Sequence, residues 1–200
     1  SASAPPPNQP PPFDAVVREA TRIGDGPIVA WRKDERVWLE LSPEQFGKPL
    51  LLAPRLASGI GEDFIYGGLL RQAGLVEFRR VHNVVQLVLR NPRFVAAAGT
   101  PEARSVAAAY SPSLLGAAPL ASAPHPVRHS VLIDAGQIFL TDLLGLGLQP
   151  QRAYRQGYGL DGRNTLISGV RAGGDALLFE VTAHYATASI AVPTPGAPPG

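Results

Sequence analysis

The sequence contains no cysteine and no methionine among its 200 residues. The absence of cysteine removes disulfides, thiolate metal ligands and thiol nucleophiles together. A chain without methionine that opens Ser1-Ala2-Ser3-Ala4 is expected to be a processed or excised piece, from which a signal peptide or a longer upstream segment has been removed. Charge of either sign is also scarce. Lys plus Arg is 18 against 16 for Asp plus Glu, and a net charge of +2 makes no electrostatic case for nucleic acid or an anionic membrane. No apolar run approaches the roughly 20 residues that a membrane-spanning helix needs, so the expectation is no membrane span. Glycine and proline are plentiful, 21 of each, and they break the chain into short elements. Hydrophobic residues at 45% are enough for a core in one domain or two small ones.

Both ends are low in complexity. Residues 1–12 hold six prolines and no charge, a composition that favours an extended, solvated, disordered leader. Residues 191–200 are a Pro/Gly linker, and a chain stopping inside a linker is expected to come from something longer. Between the ends, period-2 patterns dominate. Ile28–Trp31 and Val37–Leu41 flank the charged turn Lys33-Asp34-Glu35-Arg36, with Val37, Leu39 and Leu41 on one face and Trp38 and Glu40 on the other. Leu75–Arg80 and Val84–Arg90 predict a second hairpin, and Thr165–Arg171 with Ala176–Ala186 a third. Leu50–Ala57, interrupted at Pro54, and Val127–Ile133 read as further strands. Ser42-Pro-Glu-Gln predicts a single helical turn, Thr100 opens a helix to about Tyr110, and Asp134 caps a short one that runs through Ile138 to Leu144. The glycine-rich stretch 58–74 reads as loop. The predicted fold is β-dominated α+β: an antiparallel twisted sheet or sandwich built from hairpins, with two or three short helices. Its predicted parts are the leader, a small N-terminal unit over residues 13–49, a main β-rich domain over 50–190, and the linker.

Chemistry-bearing motifs are few. His125-Pro-Val-Arg-His129 has the i, i+4 spacing of a zinc helix, but proline occupies the position of the general-base glutamate and a strand follows, so a surface loop with two solvated histidines is expected. His82 falls in a hairpin turn and His184 on a strand. Gly145-Leu-Gly147 lacks the third glycine of a dinucleotide loop, and Gly59-Ile-Gly61 lacks the Lys-Ser/Thr of a phosphate loop. Gly157-Tyr158-Gly159 with Tyr154 offers either a tight turn or an aromatic rim for carbohydrate. Arginine outnumbers lysine 16 to 2, and Arg79 and Arg80 beside Glu77 read as a solvated face. The expectation is no catalytic residue, no metal ligand and no cofactor-binding residue in this chain.

The order of elements carries a resemblance. Pro12-Phe13 and the amphipathic segment from Asp14 to Ala20 come first, then the run from Ile28 to Leu41, Ser42-Pro-Glu-Gln-Phe-Gly47 and Pro49-Leu-Leu-Leu-Ala-Pro-Arg-Leu56. Val76-Glu-Phe-Arg79, Val131-Leu-Ile-Asp134 and Phe139-Leu-Thr-Asp-Leu143 follow. Over roughly residues 12–190 this resembles the N-terminal, non-catalytic region of secreted bacterial zinc-dependent metalloproteases of the zincin type, two consecutive domains of unknown function upstream of the catalytic domain. The resemblance implies a secreted or periplasmic accessory region that packs on or regulates a downstream catalytic domain, with protein or peptide as substrate. Zinc would belong to that absent domain, because its His-Glu-x-x-His helix has no counterpart here and no ligand carries over to any residue. A free-standing β-rich module that binds peptide or cell-wall glycan is the alternative, and an enzyme in its own right a remote third.

Overall fold

The computed structural model describes residues 9–53, 73–90, 113–140 and 159–186. The predicted strand beyond Pro54, the glycine-rich loop, the helix from Thr100, the reach to Leu144, the Gly145 and Gly59 motifs, the Tyr154–Tyr158 rim and the C-terminal linker lie outside the described residues. Of the leader, Gln9–Pro12 are described, and they join the fold: the Pro11 carbonyl accepts from Ala123 N–H at 2.8 Å.

The described chain is β-dominated and its sheets are antiparallel. The first sheet runs β1 (Thr21–Ile23), β2 (Ile28–Lys33), β3 (Arg36–Leu41) and β8 (Val131–Asp134), in that spatial order. The second runs β4 (Leu50–Leu52), β5 (Gly74–Val81), β6 (Val84–Leu89) and β7 (Ser113–Pro119). A hairpin of β10 (Leu166–Gly173) and β11 (Ala176–Thr182) and a short pair of β9 (Gly159–Leu160) with β12 (Tyr185–Ala186) complete it. The helical pieces are α1 (Phe13–Val16), a 3-10 turn at Pro43–Gln45 and α2 (Ala135–Phe139).

The three predicted hairpins form, with tighter turns than expected. Strand pairing continues to Lys33↔Arg36, Val81↔Val84 and Gly173↔Ala176, leaving two residues in each turn. The first of the two is at positive φ in all three: Asp34, His82 and Gly174. Asp, His and Gly are residue types that tolerate this region at low cost. The third hairpin ends earlier than predicted: β11 stops at Thr182, and Tyr185 and Ala186 turn away to pair with Leu160 and Gly159.

One buried cluster takes side chains from every layer. Ala30, Leu39 and Leu41 enter it from the first sheet, Phe78 and Leu87 from the second, Val170 from the third hairpin, and Ile138 from α2. Fully burying each leucine or isoleucine contributes about 1.5–3 kcal/mol. The strand order carries the chain across residue 49: β8 pairs with β3, Leu39 opposite Ile133, so the first sheet is completed by a segment far downstream. A bridge from Leu120 to Ile133 leads the end of β7 onto the outer edge of β8, and Phe46 bridges Phe78, so the two sheets meet at both places. The third hairpin is fastened at a bulge, where the register skips Ser168. There Ser168 Oγ donates to the Glu180 carbonyl at 3.1 Å and its own carbonyl accepts from Arg32 Nη2 at 3.3 Å.

Candidate functional site

The alternation in β3 predicts one apolar face and one solvated face, yet Trp38 is 4% exposed and Glu40 8%. Two segments cover that outer face. Helix α1 lays Phe13 and Val17 over Trp38 and Leu132, forming a second small core. The loop before β8 covers Glu40. Pro12 introduces α1 with its carbonyl accepting from Ala15 and Val16 N–H, and the helix lasts a single turn. The amphipathic segment predicted to reach Ala20 ends there, and Glu19 turns the backbone at positive φ.

The covering loop is built by His125. Its Nδ1 accepts from Val127 N–H at 3.1 Å and Arg128 N–H at 3.2 Å, and its ring meets Phe13 edge-on at 5.1 Å. These bonds fold residues 125–129 into a turn closed by His129 N–H onto the His125 carbonyl, with His129 at positive φ. Two expectations are corrected here. The strand begins at Val131 rather than Val127, because the intervening amides are spent within the turn. His125 is half-buried and engaged rather than solvated, while His129 is exposed.

Glu40 is the centre that results. Its Oε1 accepts from Ser130 Oγ at 2.6 Å and Arg128 Nε at 3.0 Å, and its Oε2 accepts from Trp31 Nε1 at 2.8 Å. Burial pushes the carboxyl pKa up, but the hydrogen bonds from Ser130, Trp31 and Arg128, with the guanidinium charge, outweigh it and hold the group below its ordinary value. Glu40 is therefore an ionised anchor, with no proton to give at neutral pH and three of its roughly four acceptor positions filled. Phe13 ties the pieces together, edge-on to Trp31 at 6.3 Å and under the Arg128 guanidinium at 5.4 Å.

Beside this anchor the outer face stays open as a cleft of about 560 Å³. Trp31, Val29 and Glu40 form its floor, Gln45 and Glu44 of the 3-10 turn one wall, and Arg22 and Arg128 its basic rim. Gln45 is buried, Trp31 half-buried and Arg22 exposed. Arg22 has no hydrogen-bond or ion-pair partner among the described residues, whereas Glu44 is held ionised by its own backbone N–H and by the Ser42 hydroxyl. The arrangement is suited to binding, with cationic donors left over.

The other singled-out residues lie elsewhere. His82 is in the β5–β6 turn, and its carbonyl accepts from Arg80 Nε at 3.1 Å. His184 lies in the break between β11 and β12, where its N–H reaches Thr165 Oγ1 and its carbonyl takes Asp161 N–H. Arg79 and Arg80 are exposed, as expected, while Glu77 beside them is 5% exposed and paired with both Arg79 and Arg90. Among the described residues no three His, Asp or Glu side chains gather as a metal site would require. Sequence reasoning passed over Glu40, Arg22 and Gln45, because the pattern alone marks them as solvated strand and turn positions. Compared with protein-family models, with curated proteins and with solved structures, the chain finds no match in any of the three.

Proposed function

We propose that this chain is a non-catalytic accessory region of a secreted bacterial zinc metalloprotease, packing on or regulating a catalytic domain outside it. The resemblance in element order suggests the family, and Glu40 is the observation that supports a non-catalytic role. This buried carboxylate accepts three hydrogen bonds and organises a loop and a helix, which is structural work. An inhibitory role would have to act by a carboxylate or by steric blockage, since a chain without cysteine has no thiolate to offer a zinc ion. Two four-stranded sheets that share a buried cluster favour a sandwich over one open sheet.

The test is co-expression with the region encoded downstream. The expected result is a stoichiometric complex and a changed rate of peptide cleavage by the catalytic part. A downstream region without a His-Glu-x-x-His helix, or a catalytic part that neither binds the chain nor responds to it, would end this reading. The second reading, a free-standing module for peptide or glycan, is favoured by the cleft and its unpaired Arg22.

A further inference from the structure

We infer that the cleft on the outer face of the first sheet binds the free C-terminal carboxylate of an extended peptide, with Arg22 and Arg128 as its anion receptors and Trp31 and Val29 as the seat for the last side chain. The inference starts from which polar groups in the cleft remain uncommitted. Trp31 has a single donor, and it is spent on Glu40 at 2.8 Å. Both Glu40 oxygens are occupied, one of them twice. Of these groups only one acceptor position, on Oε2, stays open to a sugar's vicinal hydroxyls.

Two guanidinium groups remain open in the cleft. Arg22 projects from the edge strand β1 with no partner among the described residues. Arg128 is oriented by its Nε on Glu40 and by the Phe13 ring beneath it, and no hydrogen bond to a described residue occupies its terminal nitrogens. A guanidinium held by one edge presents the other edge as a fork matched to a carboxylate, at low entropic cost. Glu44, which also lines the cleft, adds a negative charge that penalises a dianion such as phosphate more than a singly charged carboxylate. Beside the rim, Val29, 6% exposed, and the half-buried Trp31 give the floor an apolar part next to Glu40, which seats an aliphatic side chain. The buried Gln45 in the wall carries both a donor and an acceptor, the pair that a peptide amide requires. The volume of about 560 Å³ falls within the usual range for small-ligand sites.

The inference does not depend on a downstream protease: the isolated chain should bind, so loss of the accessory-region reading leaves it standing, and its own failure leaves that reading untouched. The probes are acetyl-Ala-Ala-Leu with a free carboxylate, the same peptide as its C-terminal amide, and glucuronate, titrated calorimetrically into the full chain while the Trp31 indole N–H signal is followed by NMR. Saturable binding of the free acid is expected, with the amide and the Arg22→Gln variant each weaker by about tenfold or more, the size of a lost charged hydrogen bond. Arg22 is exposed, so Arg22→Gln should keep the wild-type unfolding midpoint, and Arg128→Lys, which retains charge without the fork, should bind with intermediate affinity. Equal affinity for acid and amide, an Arg22→Gln variant that binds like wild type, or no saturable binding of the free acid in the millimolar range overturns the proposal. Tighter binding of glucuronate than of the peptide overturns the peptide assignment.

Discussion

Trp31 and Glu40 stand diagonally across the β2–β3 pair, and the indole Nε1 donates to the carboxylate at 2.8 Å. That diagonal joins the central strands to Ser130 and Arg128, and through Phe13 to α1. Removing the carboxylate strands three donors at once. Glu40→Ala is expected to lower stability by about 2–3 kcal/mol, and Glu40→Gln, which keeps an acceptor for Ser130 or Trp31, by about 1–2 kcal/mol. Urea unfolding monitored by tryptophan fluorescence measures both. An alanine variant as stable as wild type would remove Glu40 from its structural role.

Acid should weaken the same anchor. Unfolded, Glu40 titrates near the ordinary glutamate value of 4.5, and folding lowers that value. Between the two the unfolded chain binds more protons, so stability falls as pH drops. The contribution is complete above about pH 4.5 and is lost as pH falls through the lower, folded value. The urea midpoint is expected to decline as the pH is lowered below about 4.5, and to decline less in Glu40→Gln. Parallel pH profiles for the two proteins would contradict this.

His125 serves as a turn builder, its Nδ1 accepting from two backbone amides, and the prediction is that its spacing with His129 holds no zinc. The purified chain is expected to hold far less than one zinc ion per molecule, and added zinc should leave its melting temperature unchanged. His129→Ala should cost about 1 kcal/mol or less, since that side chain is exposed and only the positive φ at this position disfavours alanine. His125→Ala, which leaves two amides without their acceptor and Phe13 without its neighbour, is expected to cost about 1–2 kcal/mol. Tight stoichiometric zinc that is lost in both variants would reverse the assignment.

Two glycines mark where layers approach most closely. A Cβ on Gly24, at φ +85°, would sit 3.2 Å from the Ala172 Cβ and 3.3 Å from Leu177 Cδ2, so strain and crowding act together. Gly24→Ala is expected to cost about 1–3 kcal/mol and to loosen the third hairpin from the first sheet. A Cβ on Gly116 would lie 3.3 Å from the Ile138 carbonyl oxygen, against the backbone of α2. Gly116→Val is expected to cost about 1–3 kcal/mol by overpacking. Amide exchange near β10–β11 for the first variant, and near α2 for the second, would locate each effect. Unchanged stability in both would contradict the packing described.

The hairpins were legible because alternation and turn chemistry are local: Val37, Leu39 and Leu41 turn inward as their spacing requires, and Asp34, His82 and Gly174 sit where a left-handed residue is needed. The Asp134 cap was legible for the same reason, and its side chain accepts from Gly136 N–H at 2.8 Å. The site was not legible, because its parts are distant in sequence. Glu40 meets Ser130 across 90 positions, and no local pattern reveals that a loop folded by His125 will shield it. The burial of Glu77 was not legible either, because its second partner, Arg90, comes from just past the far end of the next strand.

The pairing of β3 with β8 also sets a schedule for assembly. While the ribosome is still adding the residues between them, β3 presents an unpaired margin with Leu39 and Leu41 on its inward side, and the strand that will satisfy it has not yet been made. Joining such remote partners incurs loop-closure entropy before any contact offsets it, which slows folding. The vulnerable interval falls during biosynthesis, when nascent chains could pair through that margin with one another. A holding factor acting on the growing chain would therefore raise the yield of folded protein more than one supplied after its release.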